Sequence, residues 1–180
     1  MSIDFRNEWD SGKLFHEFVA GAQKNKELWE GVHRLARLPE WAATAIPLST
    51  TRRMLAIVED WCGDAVNTVP VLARWAEALP NLELRLVERD KHPDLMDRYL
   101  TGTARSIPII VNLDEDFQEL GHWGPRPSEL QAWVMASKDA MPKEERYPLV
   151  RKWYARDHGE STIREVLEAM NIPAPTGLAG

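Results

Sequence analysis

Apolar residues recur at helical spacing along the first part of the chain. Leu14, Phe15, Phe18, Val19 and Ala22 form one stripe at three- and four-residue intervals, and Leu28, Trp29, Val32, Leu35 and Ala36 form a second. Residues 8–45 are therefore predicted to be helical, and Pro47 with the Ser49-Thr50-Thr51 cluster reads as a loop. The pattern changes at Met54-Leu55-Ala56-Ile57-Val58, an unbroken apolar run of the kind shown by a strand buried on both faces. Helical spacing returns over 64–79 through Val66, Val69, Leu72, Ala73, Ala76 and Leu79, and Pro80-Asn81 stops it. Leu82 to Val87 alternates and predicts a strand. Pro93 to Leu100 predicts a short helix with proline in its first turn. Ile107 to Leu113 and Phe117 to Gly121 predict two strands joined by a hairpin at Asp114-Glu115-Asp116, and Ser128 to Ser137 a further helix. Residues 142–171 read as two more helices broken near His158-Gly159. The tail from Ala174 to Gly180 is expected to be disordered.

Strand alternating with helix implies an α/β sheet covered on both faces. The expected organisation is one domain over 1–180: N-terminal helices over 8–50, an α/β core over 51–138, and C-terminal helices over 141–172. No internal repeat or low-complexity block interrupts it.

Composition narrows the partners. The chain has 180 residues, 44% of them hydrophobic, and a net charge of −6. That balance disfavours nucleic acid, whose phosphates need clustered Lys and Arg. No apolar run approaches membrane-spanning length, and the first residues lack a secretory plan. A single cysteine makes no internal disulfide. The expectation is a cytoplasmic protein with neither nucleic-acid nor membrane partners. Most of the eight tryptophans are expected to pack in the core.

Cys62 is the residue that changes the picture. It lies between the apolar strand ending near Val58 and the helix starting near Gly63. Amides at a helix start and the helix dipole favour an anion there. A thiol in that place is acidified, and the thiolate is the nucleophile. A lone buried, inert cysteine is the ordinary alternative.

The surroundings resemble a known site. Trp61-Cys62-Gly63 after an apolar strand resembles the thioredoxin Trp-Cys-Gly-Pro-Cys. Pro70 lies where that family kinks its active-site helix, and Ser106-Ile107-Pro108-Ile109 resembles its cis-proline loop. The wider set is similar to a bacterial thioredoxin-like family. It comprises Glu59-Asp60-Trp61-Cys62-Gly63-Asp64, Arg89-Asp90, Tyr99-Leu100, Ile107-Pro108 and Trp123-Gly124-Pro125-Arg126-Pro127, and it spans roughly 50–138. The resemblance implies a thioredoxin fold, a central mixed sheet flanked by helices, here with helical additions at both ends. It implies Cys62 as the reacting residue. Trp61, Gly63, Asp64, Ala65, Ile107 and Pro108 would form the substrate surface, with a cis bond before Pro108 facing the cysteine.

Three departures limit the chemistry. Ala65 holds the second cysteine position, so a mixed disulfide on Cys62 needs an outside thiol to resolve it. Ala56 stands where thioredoxins place a buried aspartate. Asp64 replaces the usual proline; its charge suits a first helical turn but opposes a neighbouring thiolate. Read as exposed and screened, Asp64 leaves the helix terminus to prevail modestly. Glu59 and Asp60 read as solvated charges, and Arg126 as a surface or helix-start residue. Arg105 and Arg126 are also candidates to meet a carboxylate of a small thiol. Trp61 is expected beside the thiol, and Trp123 either in the same groove or in the core.

His16, His33, His92, His122 and His158 show no metal-ligand spacing, so neither metal nor cofactor is expected. An iron–sulfur cluster of the monothiol glutaredoxin kind lacks its Cys-Gly-Phe-Ser motif. The leading reading is a monothiol that exchanges disulfides with a protein or low-molecular-weight thiol. Its rivals are a non-catalytic binding module on the same fold and a redox sensor pairing Cys62 between two copies.

Overall fold

The computed structural model describes residues 3–176. The central strand β1, Arg52–Val58, carries the unbroken apolar run and is fully buried from Met54 to Val58. Its position explains the pattern: it has a neighbour on each edge and helices on both faces. Strand β2, Leu82–Glu88, lies parallel to it on one side, with Ala56 opposite Leu86. Strand β3, Ile109–Leu113, lies antiparallel on the other, with Ala56 opposite Ile110. Strand β4, Glu119–Trp123, closes the sheet in the order β2-β1-β3-β4.

Eight α-helices surround this sheet among the described residues. Helices α1, α2 and α3 are Phe5–Ser11, Phe15–Gly21 and Lys26–Leu35; a 3-10 turn at Glu40–Thr44 leads to β1. Helix α4, Gly63–Ala78, connects β1 to β2 and contains Pro70. A 3-10 turn at Arg89–Lys91 leads to the short α5, Pro93–Met96. Helix α6, Ser128–Ser137, follows β4. Helices α7, Lys143–Asp157, and α8, Glu160–Ala169, end the described fold. They break at His158 and Gly159, both at positive φ (54° and 80°). A side chain at Gly159 would start 2.6 Å from a Val71 methyl, so glycine is the residue that fits where α8 turns back onto α4.

The main core fills both faces of the sheet, and α8 packs on β4, β3 and α4. A second small cluster of Leu130, Val134, Val150 and Tyr154 joins α6 to α7.

Several sequence boundaries shift. Helix α1 begins before residue 8, where the Asp4 carboxylate accepts from the Arg6 and Asn7 amides. The predicted helical stretch breaks at Lys13, which pairs with Leu86 on the outer edge of β2. The second stripe is narrower than its spacing suggests: Trp29 is fully buried, but Leu28 and Leu35 are 57% and 73% exposed. Strand β3 starts at Ile109 rather than Ile107, and α5 ends at Met96 rather than Leu100. The hairpin runs further than predicted. The Asp114 carboxylate accepts from the Asp116 and Gln118 amides, Phe117 takes φ 63°, and β4 is thereby displaced from 117–121 to 119–123. The last four residues of the tail expected to be disordered lie outside the described residues.

Candidate functional site

Two turns meet at the carboxyl end of β1. The first runs from Val58 to the start of α4. Cys62 is the residue before the helix, and its Sγ accepts from the Ala65 N–H at 3.5 Å. The second is the Ser106–Pro108 loop before β3, where the Ile107–Pro108 and, nearby, Gly124–Pro125 peptide bonds are cis. The loops touch through the cysteine itself: the Cys62 S–H donates to the Ile107 carbonyl at 3.4 Å. Cys62 and Ile107 are both buried, at 7% and 5% exposure.

This burial overturns the expected acidity. Desolvation pushes the Cys62 thiol up to about 11 from its ordinary value near 9. The Ala65 and Asp64 amides oppose that, as the helix-start argument requires, but they are outweighed. The Asp64 charge adds to the rise, and the Arg126 charge opposes it. A consequence for stability follows. A group whose folded pKa exceeds its unfolded one stabilises the fold below the lower value and loses that contribution above the higher. The difference in urea-unfolding free energy between the native chain and Cys62→Ser should be constant below about pH 9 and shift against the native chain as pH rises from there through about 11. A difference that stays flat across that window would show that the thiol is not shielded.

Asp64 also departs from expectation. It is buried rather than exposed and screened, and it belongs to a polar cluster. Arg126 grips its carboxylate with two donors, Nε to Oδ1 at 3.0 Å and Nη2 to Oδ2 at 2.7 Å. Tyr154 Oη on α7 donates to Oδ1 at 2.9 Å, and Arg126 Nη1 donates to Gln131 Oε1 at 2.8 Å. Burial still holds the Asp64 carboxyl above the usual carboxylate value, with Arg126 and then Tyr154 pulling it down. The Tyr154 hydroxyl is pushed well up by burial and by the Asp64 charge. Arg126 is thus an internal counter-ion rather than a surface residue, and Arg105 is already bidentate with Asp97 at 2.7 and 2.8 Å. Sequence pointed to Arg126 only through its Gly-Pro-Arg-Pro setting, and nothing local marked Tyr154.

The other named residues separate into faces. Trp61 is 49% exposed beneath the Arg89 guanidinium, and Gly63 is exposed with open space where a side chain would stand. Ala65 and Pro108 are buried, so the surface expected from Asp64, Ala65, Ile107 and Pro108 is largely internal. A cleft of about 280 Å³ opens beside Trp61 and Gly63, walled by Leu28 of α3 and Tyr147 of α7. Trp123 is buried with its Nε1 donating to Glu165 at 2.7 Å. Asp60 and Glu59 are not free charges. The Asp60 carboxylate accepts from the Gln23 and Lys24 amides at 2.7 and 3.0 Å, and Glu59 accepts from the Asp90 amide at 2.9 Å. Ala56 is fully buried. No group of three or more His, Cys, Asp or Glu among the described residues is arranged to hold a metal ion, and no described helix is long and apolar enough to cross a membrane.

The sheet order and this cysteine-capped helix agree with an independent comparison: residues 12–142 match the model of a family described as thioredoxin. The chain belongs to the thioredoxin family. That places it among redox-related thioredoxin-fold proteins. Over 78 residues it is 31% identical to Thioredoxin-2 of Pyricularia oryzae, covering 43% of this chain and 43% of that protein. The chain therefore spans less than half the length of that curated relative. Two solved structures share the thioredoxin fold. One is a protein of unknown function from Pseudomonas aeruginosa, with TM-score 0.73 and 22% identity over 94% of this chain and 98% of that one. The other is an HIV epitope scaffold, with TM-score 0.71, 22% identity and the same coverages. At such identity these two speak to fold alone. The family match ends at residue 142, so Tyr154 and the whole of α7 lie outside it.

Proposed function

We propose that this chain carries out monothiol thiol–disulfide exchange through Cys62, with a protein or low-molecular-weight disulfide as substrate and an external thiol completing the cycle. The observation that supports this best is the place of the sulfur. It caps the first turn of α4, faces the Ile107–Pro108 loop, and has a buried methyl, Ala65, where a resolving thiol would stand. Trp61 and Gly63 offer the exposed approach beside it.

The chemistry balances with one cysteine. Cys62 gives its proton to solvent, and the thiolate attacks a substrate disulfide. The substrate S–S bond breaks, a new S–S bond forms to Cys62, and the departing thiolate takes a proton. An external thiolate then attacks the mixed disulfide on the substrate sulfur, and Cys62 leaves and is reprotonated. The net result transfers a substrate sulfur from one thiol to another with no change in the number of disulfides. With the thiol pushed up to about 11, little thiolate is present at neutral pH. Exchange with small disulfides is therefore slow until docking shifts the Ile107 loop or supplies donors to the sulfur.

The test is intact-mass detection of a mixed disulfide after exposure to oxidised glutathione, with the alkylation rate measured across a pH series and Cys62→Ser as blank. The expected result is one adduct, formed slowly at neutral pH and faster as the thiol ionises. Absence of any adduct at every pH where the chain stays folded would overturn the proposal.

The burial of Cys62 itself favours a second reading, a thioredoxin-fold binding module in which the sulfur is only a core residue. Under it, partner binding survives Cys62→Ser unchanged; under the first it fails. The same burial works against pairing of Cys62 between two copies.

A further inference from the structure

The Asp64–Arg126–Tyr154 cluster draws on three parts of the chain. Asp64 is in the first turn of α4, Arg126 in the loop before α6, and Tyr154 on α7. A buried ion pair often stabilises a fold no better than apolar residues of the same volume. Stability alone therefore gives no reason for a charged pair at this spot. Its position does. Asp64 is the second residue after Cys62, its own amide and that of Ala65 face the sulfur, and its carboxylate anchors that turn. The ionisable groups that bear on Cys62 are Asp64 on its own helix and Arg126 before α6, with Tyr154 on α7 coupled to both.

We propose that Asp64 is a positioning residue for Cys62, clamped by Arg126 and by Tyr154 of helix α7, and that the balance between its carboxylate and the Arg126 guanidinium sets how readily the sulfur ionises. The C-terminal addition is then part of the site rather than a cap on the sheet. In the ion pair the carboxylate opposes a thiolate and the guanidinium favours one, and each masks the other. The inference concerns the same sulfur as the proposed exchange function, but its readout does not require exchange to occur.

The experiment is the pH profile of Cys62 alkylation by iodoacetamide in the full chain. Asp64→Asn leaves the Arg126 cation unopposed near the sulfur, so its profile moves to lower pH. Arg126→Gln leaves the carboxylate, so its profile moves to higher pH. Arg126→Lys keeps the charge and lies near the native profile. Tyr154→Phe removes a hydrogen bond without changing either charge and moves it least. Each pH unit of displacement changes thiolate tenfold, and altered nucleophilicity takes back about threefold, leaving about a threefold rate change at neutral pH. A purely structural role would loosen the site in every variant and speed alkylation in all of them. Equal direction for Asp64→Asn and Arg126→Gln, or no displacement in either, overturns the proposal. Far-UV circular dichroism identifies a variant that fails to fold. If Asp64→Asn is one, the Arg126→Gln and Arg126→Lys pair decides alone: slowing by glutamine restored by lysine supports the proposal, and matching profiles overturn it. If alkylation follows the expected signs but no mixed disulfide forms, exchange fails while this inference stands.

Discussion

Trp29→Ala is expected to lower the unfolding free energy by about 3–5 kcal/mol, the range for truncating a fully buried aromatic. Trp29 has no exposed surface and packs edge-on to Phe18, with ring centroids 5.1 Å apart, and against Phe15 at 6.3 Å. Its indole also has a polar duty. Nε1 donates to the Asp60 carbonyl at 3.0 Å, an oxygen that Asn25 Nδ2 reaches at 3.2 Å. The alanine variant therefore leaves a cavity and removes one of two donors from the turn that precedes Cys62. Urea denaturation at unchanged slope measures the loss as a fall in midpoint. Trp29→Phe divides the total, because it keeps most of the ring and loses the donor. A loss below about 1 kcal/mol for the alanine variant would mean that α2 and α3 are not fastened to the core as described.

Gly124→Ala is expected to be at least as damaging. Gly124 has φ 129°, where side chains are strongly disfavoured, and a Cβ there would stand 2.2 Å from the Pro108 carbonyl oxygen and 3.2 Å from Ile109 Cα. Both obstacles are backbone atoms, so no side-chain rotation relieves them. Relief requires moving the loop that faces Cys62 or the end of β4. The expected cost exceeds about 4 kcal/mol, in the range reserved for specific backbone conflicts. Gly63→Ala is the control, since a Cβ at that position meets nothing within 4 Å. Thermal unfolding of the two variants side by side checks the contrast, and equal stability would refute it.

The parts of the fold legible in the sequence are those governed by local periodicity. The run from Met54 to Val58 announces a strand covered on both faces, and α4 and α6 follow their apolar spacing almost to the residue. Phe117 shows where local patterns mislead. It reads as the first residue of a strand, but its aromatic ring is held under the Arg53 guanidinium at 4.3 Å while its backbone completes the turn. Leu28 and Leu35 fit a helical stripe, but α3 turns only part of it inward.

At the site, the position of Cys62 opposite Ile107 is legible only through the resemblance to thioredoxins, which implies a loop facing the cysteine. Its acidity is not. Acidity depends on how much water reaches the sulfur, and that is set by packing between segments far apart in the chain, such as Cys62 against Ile107 45 residues on. Asp64 illustrates the same point. Beside glycine at a helix start it has every local mark of a solvated carboxylate, yet its counter-ion and its hydroxyl donor lie 62 and 90 residues further along the chain. Pairings so distant leave no period in the sequence.

Cys62 stands midway between two fastenings. Two residues before it, Asp60 is tied to the segment entering α3; two residues after it, Asp64 is tied to α7. The first and last parts of the chain are thus joined through the turn that carries the only sulfur nucleophile. A change at either end of the chain therefore reaches the sulfur through a residue only two positions away from it.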